Sequence, residues 1–278
     1  MSAATGPDVA FVRGGGGVLG AGEVGMLRAL LEAGIRPDVV LGTSVGALNG
    51  AFLAADPTVA ATVRLADLWR QLSAEGGVFS GSLASRVGTA VRSRTHLHSR
   101  APLRQLLEDH LPERFEDLAV PFQCVAASIE RAAEHWFTTG ALHDAVLASA
   151  AVPGLLPPVR VDDEHYLDGG LVNSIPVSRA VELGARTVYV LQVGRIEQPL
   201  RAPTRPWEVA LVAFEIARRH RFATDMARLP DDVVVHVLPN GDAVPEGLAA
   251  LRYRDTRRVA RRVERAHEAT VAYLEERG

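Results

Sequence analysis

One serine stands in a sequence setting that is typical of an activated nucleophile. Ser44 is the centre of Gly42-Thr43-Ser44-Val45-Gly46, which directly follows the apolar run Val39–Leu41. The run predicts a strand and the residues after the serine predict a helix, so Ser44 would occupy a tight strand–turn–helix junction, a nucleophile elbow. Glycines on either side allow the strained backbone and close chain approach that this turn requires. The helix N-terminus would also stabilise negative charge during acyl transfer.

A glycine-rich loop precedes the elbow. Four consecutive glycines, Gly14–Gly17, follow the predicted strand Asp8–Val12, and a helical pattern comes after them. Neighbouring parallel strands place their carboxyl ends at one edge of a sheet, so this loop and the serine turn would lie together. In this interpretation the backbone N–H groups of Gly15, Gly16 and Gly17 form an oxyanion hole beside the serine.

The same loop also matches the dinucleotide-binding pattern G-x-G-x-x-G, from Gly15 to Gly20. A Rossmann site needs, in addition, an acidic residue at the end of the second strand to bind a ribose hydroxyl. Here that strand ends at the serine turn, and Asp38 stands at its opposite end. An NAD(P)-binding oxidoreductase is therefore kept as an alternative function.

The candidate base is an aspartate in a second turn of small residues. Asp168 follows the strand-like segment Tyr166–Leu167 and precedes Gly169 and Gly170. Because these glycines leave the turn free of side chains, the carboxylate can approach a serine hydroxyl closely. Partial burial would raise its pKa and make it a better base.

A Ser-His-Asp triad is the competing arrangement. The chain contains nine histidines, and His236 in the apolar segment Val233–Val237 comes late enough in the chain to serve. A lone histidine in an apolar strand is more often structural. His96 and His98 have no acidic residue or cysteine beside them, so we predict no metal site there and no cofactor.

Composition excludes several other chemistries. All 30 basic side chains are arginine, so Schiff-base formation, a Walker-A loop and a Ser-Lys pair are impossible. A net charge of −3 argues against nucleic acid as a partner. The single cysteine, Cys124, predicts a small buried side chain. With no signal peptide and no spanning stretch in the sequence, we expect a cytosolic protein, and the oligomeric state stays open.

Alternating strands and helices predict one α/β domain over residues 1–278 with a mostly parallel sheet. The motifs occupy about residues 9–193, and a strand and helices at about 206–278 would pack on the same core. The polar segment Ser73–Arg100 is the candidate lid. Further strands are predicted at Pro121–Ser128, His135–Thr138, Tyr166–Leu167, Thr187–Val193 and Val233–Leu238.

Taken in order, the glycine loop, G-x-S-x-G and D-G-G resemble the patatin-like phospholipases. The resemblance continues through residues 148–158 and 168–176 and covers about Val9 to Val193. It implies a three-layer α/β/α sandwich, a Ser-Asp dyad and metal-independent hydrolysis of acyl esters in lipids. By this resemblance Ser44 is the nucleophile and Asp168 its general base. The resemblance also assigns the oxyanion hole to Gly15, Gly16 and Gly17, and a structural role to Asn173 and Pro176.

One position departs from the family pattern. The family usually has arginine or lysine just before the last glycine of the loop, where this chain has Leu19. Arg13, at the other end of the loop, is not assumed to replace it. If that cation helps to place an anionic headgroup, acylglycerols, lysolipids and simple esters stay open as substrates besides phospholipids.

Two helical segments offer surfaces for lipid. The segment Pro206–Leu229 passes from apolar residues into an arginine-rich stretch, and we expect it to pack on the core. The final predicted helix, Tyr253–Glu276, has an apolar face for the sheet, and attraction of its arginines to anionic membranes is a hypothesis. A catalytically silent scaffold or lipid-binding protein is a third class of function. In the final predicted helix the arginines are Arg254, Arg258, Arg261, Arg262 and Arg265, and the apolar face consists of Val259, Val263, Ala266 and Thr270.

Overall fold

The structure is a computed structural model that describes residues 6–74, 98–193, 199–204, 206–241 and 256–277. Most of the candidate lid therefore lies outside the described residues. The strands are β1 (Val9–Arg13), β2 (Val39–Thr43), β3 (Phe122–Ser128), β4 (Ala133–Phe137), β5 (Val159–Val161), β6 (Glu164–Asp168), β7 (Thr187–Leu191) and β8 (Val234–Val237). The α-helices are α1 (Ala21–Glu32), α2 (Val45–Ala55), α3 (Val59–Ala74), α4 (Ala101–His110), α5 (Leu142–Ser149), α6 (Val177–Glu182), α7 (Pro206–Met226) and α8 (Thr256–Glu275).

The strands form one sheet. Its hydrogen-bonded order is β5-β6-β3-β2-β1-β7-β8, and β4 also pairs with β3. Four strand pairs are parallel, namely β1–β2, β1–β7, β2–β3 and β7–β8. The pairs β3–β4, β3–β6 and β5–β6 are antiparallel. The sheet is thus mostly parallel, with an antiparallel extension beyond β3.

Helices cover both faces of this sheet. Phe11 and Val40 point into the larger core cluster, which contains side chains from α1 to α5 and α8. The alternate residues Val12 and Leu41 belong to a second cluster with α6 and with Phe222 of α7. Alternation between two buried faces is what a parallel strand inside an α/β fold requires. The predicted three-layer α/β/α sandwich is confirmed.

The strand β3 brings two other strands end to end. Its residues 124 and 125 pair with both β2 and β4, and its residues 126–128 pair with both β4 and β6. A residue pairs with only one strand on each of its edges, so β4 occupies one edge while β2 and β6 share the other. Thr43, the last residue of β2, is paired with Val125, and Asp168, the last of β6, with Ala126. The carboxyl ends of β2 and β6 therefore meet at adjacent residues of β3.

The largest difference from the sequence-based expectation is the hairpin of β5 and β6. Strand β5 was not predicted, because its three residues are too few for a period-2 pattern and are preceded by two prolines. Strand β6 runs from Glu164 to Asp168 and is longer than the predicted Tyr166–Leu167. The other predicted strands agree with the structure to within two residues at each end.

A buried polar cluster joins β1 to three helices. Arg13 donates through Nε and Nη2 to Oε2 of Glu23 in α1, at 3.1 and 2.8 Å, and both side chains are 0% exposed. The Nη1 atom of Arg13 donates to the carbonyl of Asn49 in α2. Asn49 donates to Glu23 and to the Gly20 carbonyl, and accepts from Trp69 of α3. The cluster thereby fixes both ends of the glycine loop against the helix that follows the serine.

We expect Glu23→Ala to lower the free energy of unfolding by about 3–5 kcal/mol, because it leaves the Arg13 guanidinium buried without its carboxylate. Glu264→Ala is the matched control, since it breaks the pair with Arg28 in which Glu264 is 57% exposed. A surface pair of this kind contributes up to about 1 kcal/mol. Urea unfolding of both variants measures the difference. Equal losses would show that the buried pair has no special weight.

Candidate active site

Ser44 occupies a strained turn between β2 and α2. Its backbone lies at φ 58° and ψ −123°, a conformation that residues with side chains rarely adopt. A Cβ at Gly42 would lie 2.5 Å from the Gly46 carbonyl oxygen, and a Cβ at Gly46 would lie 2.5 Å from that of Arg13. Any side chain at either position would therefore push the turn apart. This is the geometry of a nucleophile elbow.

The serine hydroxyl is bonded directly to the aspartate. Ser44 Oγ donates to Asp168 Oδ2 at 2.6 Å, and the two residues are 8% and 1% exposed. The other carboxylate oxygen, Oδ1, accepts the N–H of Gly170 at 2.7 Å. Burial raises the pKa of Asp168 to about 6, although the hydrogen bonds from Ser44 and Gly170 oppose that rise. The carboxylate is therefore more basic than an exposed aspartate.

The segment at the end of α5, from Ser149 to Ala151, forms hydrogen bonds with both Ser44 and Asp168. The N–H of Ser44 donates to Oγ of Ser149, the last residue of α5, at 2.9 Å. Two residues later, the carbonyl of Ala151 accepts the N–H of Asp168, also at 2.9 Å. The sequence offered no chemical signal for Ser149 beyond its place in the family-like segment 148–158.

The residues after Asp168 connect the aspartate turn to the elbow. Thr43 Oγ1 donates to the carbonyl of Asn173 at 2.9 Å, and the Asn173 N–H donates to the carbonyl of Gly169 at 2.8 Å. Asn173 thus makes contacts that suit the structural role expected for it. Pro176 directly precedes α6, and Val45 begins α2.

The glycine loop lies against the serine, but one predicted donor is already engaged. A Cβ at Gly15 would lie 3.4 Å from the Cβ of Ser44. The Gly15 N–H donates to the Ser174 carbonyl at 3.1 Å, so it is not free to bind a substrate oxygen. The N–H groups of Gly16 and Gly17 have no acceptor within the described part of the chain. The oxyanion hole stays a prediction for these two residues, and Gly15 differs from what the sequence suggested.

The alternative base lies elsewhere. His236 is on the edge strand β8, where its Nδ1 lies 3.2 Å from the Tyr273 hydroxyl and its ring stacks on Tyr189. Strands β7 and β1 stand between β8 and β2. Burial and the nearby Arg277 lower the pKa of His236. The structure does not bring this histidine to Ser44.

Two further expectations concern single side chains. Cys124 is a free, buried thiol, and burial raises its pKa far above the usual range, as expected for an unreactive core residue. Leu19 packs in the larger core cluster. The position where the family usually has a cation is therefore apolar and buried in this protein.

An elbow serine lies beside a buried carboxylate at the edge of an α/β sheet, and comparison with known families is consistent with this arrangement. The family model described as patatin-like phospholipase matches residues 11–181, more than half of the chain. The chain belongs to that family. The NAD(P)-binding alternative has no support, since β2 leads into the serine turn where a Rossmann strand would end in a ribose-binding acid.

Curated relatives are much longer than this chain. Lysophospholipase NTE1 of Mycosarcoma maydis is 31% identical over 200 residues, and the match covers 69% of this chain and 10% of that protein. Patatin-like phospholipase domain-containing protein 7 of Mus musculus is 34% identical over 193 residues, with 68% and 14% covered. Among solved structures, VipD from Legionella pneumophila covers 99% of this chain and 68% of its own, at 15% identity and a TM-score of 0.46. The single-domain expectation stays a prediction.

The raised pKa of Asp168 predicts a pH-dependent change in stability. Its folded-state pKa of about 6 exceeds the ordinary value of 3.8, so wild-type stability is lost as pH rises from 3.8 through about 6. Asp168→Asn removes this effect. The stability of this variant relative to the wild type should rise by about 2 kcal/mol between pH 4 and pH 8, most of the effect of a shift of roughly two pKa units. Urea unfolding at each pH measures the difference, and a constant difference would contradict the raised pKa.

Proposed function

We propose that this protein is a serine hydrolase that cleaves acyl ester bonds of lipids through an acyl-enzyme on Ser44. The observation that carries the proposal is the 2.6 Å hydrogen bond from Ser44 Oγ to the buried Asp168 carboxylate. Family membership supports the choice of lipid esters. Asp168 in this scheme is the general base, and neither a metal ion nor a cofactor takes part.

Acylation of the serine is the first half of the reaction. Asp168 accepts the hydroxyl proton through Oδ2 while Ser44 Oγ attacks the ester carbonyl carbon. The carbonyl oxygen becomes negatively charged and would accept hydrogen bonds from the N–H groups of Gly16 and Gly17. The alcohol leaves with the proton from Asp168, and the acyl group stays on the serine. Because a serine hydroxyl is far less acidic than a carboxyl with a pKa of about 6, stabilisation of the oxyanion must lower most of the barrier.

Deacylation reverses these roles with water as the nucleophile. Asp168 accepts a proton from water, and the resulting hydroxide attacks the acyl carbon. The same backbone donors stabilise the second oxyanion. Ser44 then recovers its proton from Asp168 as the fatty acid leaves.

The substrate would be a phospholipid, a lysophospholipid or an acylglycerol. One curated relative is named a lysophospholipase, which is consistent with a glycerol-based ester. The buried Leu19 leaves the glycine loop without the usual cation, so the loop itself provides no side chain for an anionic headgroup.

Contact with a membrane surface is part of the proposal. Helix α8 buries Val259, Val263, Ala266 and Thr270, as the sequence predicted, and Arg261 lies on its exposed side. Arg254 is outside the described residues. Within the described ranges, no helix is long and apolar enough to cross a bilayer. Attraction of the exposed arginines to anionic lipid would bring the protein to its substrate.

The first test is loss of activity in the dyad variants. We expect Ser44→Ala and Asp168→Ala each to lower kcat/KM for a lipid ester at least about a thousandfold, as removal of a nucleophile or its base does elsewhere. A fluorophosphonate probe should label wild-type protein at Ser44, as located by peptide mapping. His236→Ala is the matched control and should retain wild-type turnover. If His236→Ala were inactive while Asp168→Ala kept its activity, a Ser-His-Asp triad would be the correct mechanism.

The second test is the pH profile of turnover. Only ionised Asp168 can accept the serine proton, so kcat/KM should fall about tenfold per pH unit below an apparent pKa of about 6. An uncharged p-nitrophenyl ester serves as substrate because it does not titrate in this range. The His236→Ala variant should show the same decrease in kcat/KM at low pH. If the apparent pKa of the decrease in kcat/KM at low pH changed in His236→Ala, the titrating group would be the histidine.

A further inference from the structure

Helix α7 packs directly against the catalytic turns. A Cβ at Gly170, in the aspartate turn, would lie 2.6 Å from Cζ of Phe214. One helical turn later, Arg218 donates through Nε to Oγ of Ser174 at 2.9 Å. Ser174 is also the residue whose carbonyl accepts the N–H of Gly15. The helix therefore carries a guanidinium to the residue that anchors the glycine loop.

The Arg218 side chain is 5% exposed and pairs with Glu215, and its charge also opposes the rise in the pKa of buried Glu23. Its Nη1 donates to both carboxylate oxygens of Glu215, at 3.2 and 3.3 Å. Its Nη2 is buried and has no hydrogen-bond acceptor within the described residues. A buried donor without an acceptor is costly for a folded protein, so a binding role is a physical reason to keep one.

The hydroxyl that accepts the Arg218 hydrogen bond lies close to the nucleophile. The Cβ position of Gly15 is 3.4 Å from Ser174 Oγ and also 3.4 Å from Ser44 Cβ. The hydroxyl that Arg218 holds is therefore no more than about 7 Å from the Cβ of the nucleophile. In a 1-acyl glycerophospholipid, six covalent bonds separate the ester carbonyl carbon from the phosphorus, a span of at most roughly 7 Å. An ester bound at Ser44 can thus place its phosphate near Ser174 Oγ, the hydroxyl to which Arg218 donates.

We propose that Arg218 Nη2 binds the phosphate of a glycerophospholipid substrate, and so supplies the cation that the loop lacks at Leu19. A guanidinium suits this role because it donates several hydrogen bonds in a plane to phosphate oxygens and stays charged at all relevant pH values. Because Ser44 and Arg218 are both more than nine-tenths buried, the contact would form in a confined site, where charge-assisted hydrogen bonds are strong. The inference rests on the proposed function and names its substrate class.

The test compares two substrates that differ only in the phosphocholine headgroup. Steady-state kcat/KM is measured for 1-palmitoyl lysophosphatidylcholine and for 1-palmitoylglycerol with wild type, Arg218→Met, Arg218→Lys and the control Arg219→Met. Arg219 is the adjacent arginine on α7 and also pairs with Glu215. We expect Arg218→Met to lower the ratio of the two kcat/KM values by at least about tenfold, the loss of one charge-assisted hydrogen bond. Arg218→Lys should fall in between, and Arg219→Met should keep the wild-type ratio.

A purely structural role for Arg218 gives a different result. If Arg218 only held α7 against Ser174, Arg218→Met would slow both substrates equally and leave the ratio unchanged, which would overturn the inference. Inhibition of wild type by inorganic phosphate addresses the source of the anion. If free phosphate bound as tightly as lysophosphatidylcholine and lost its affinity in Arg218→Met, the site would be one for a free anion and the headgroup assignment would be wrong.

Binding to an inactive protein separates this inference from the proposed function. Calorimetry with Ser44→Ala should show tighter binding of lysophosphatidylcholine than of 1-palmitoylglycerol, and the added Arg218→Met change should abolish the difference. If wild type hydrolysed neither ester, the proposed function would fail, and these affinities would still decide whether Arg218 binds the phosphate. If lysophosphatidylcholine and 1-palmitoylglycerol bound with equal affinity both to Ser44→Ala and to the double variant with Arg218→Met, the inference about Arg218 would be refuted.

Discussion

The site depends on the end-to-end meeting of β2 and β6 along one edge of β3. Ser44 and Asp168 are 124 positions apart in the chain. Ser44 directly follows β2 and Asp168 is the last residue of β6, and the ends of these two strands pair with adjacent residues of β3. Hydrogen bonds of the sheet therefore set the distance between the two side chains. Contacts from the segment after α5 and from Asn173 to Thr43 then fix both turns, so that the hydroxyl and the carboxylate meet at bonding distance.

Burial gives the aspartate its chemical character at a cost in stability. The carboxylate is shielded from water and receives one backbone N–H and one hydroxyl as partners, which only partly replace its hydration. The same desolvation that weakens the folded protein above pH 6 makes the carboxylate a stronger base. The Arg13–Glu23 pair is a second buried charge arrangement nearby, in which an opposite charge offsets part of the lost hydration and the contacts hold the glycine loop.

Local motifs were enough to select the candidate residues Ser44 and Asp168, but they did not predict the contacts around them. Ser44 and Asp168 could be selected because glycine spacing and strand position are visible in the sequence. The partner of the Gly15 N–H could not, because the accepting carbonyl at Ser174 belongs to a distant segment and a carbonyl has no sequence signature. The contacts of Ser149 and Arg218 could not be predicted either, because the apolar pattern of a helix indicates which face is buried and not which groups its polar side chains bind. Strand β5 was missed because three residues are too few to show a period.

The aspartate arrives on a two-stranded hairpin at the end of the sheet, whereas the serine belongs to its parallel centre. Peripheral hairpins open more readily than central strands, because fewer hydrogen bonds and apolar contacts must break. Heating would therefore detach the hairpin before the central strands separate. Thermal inactivation of this protein would then precede its global melting, and the inactive species would retain most of its secondary structure and could regain activity on cooling.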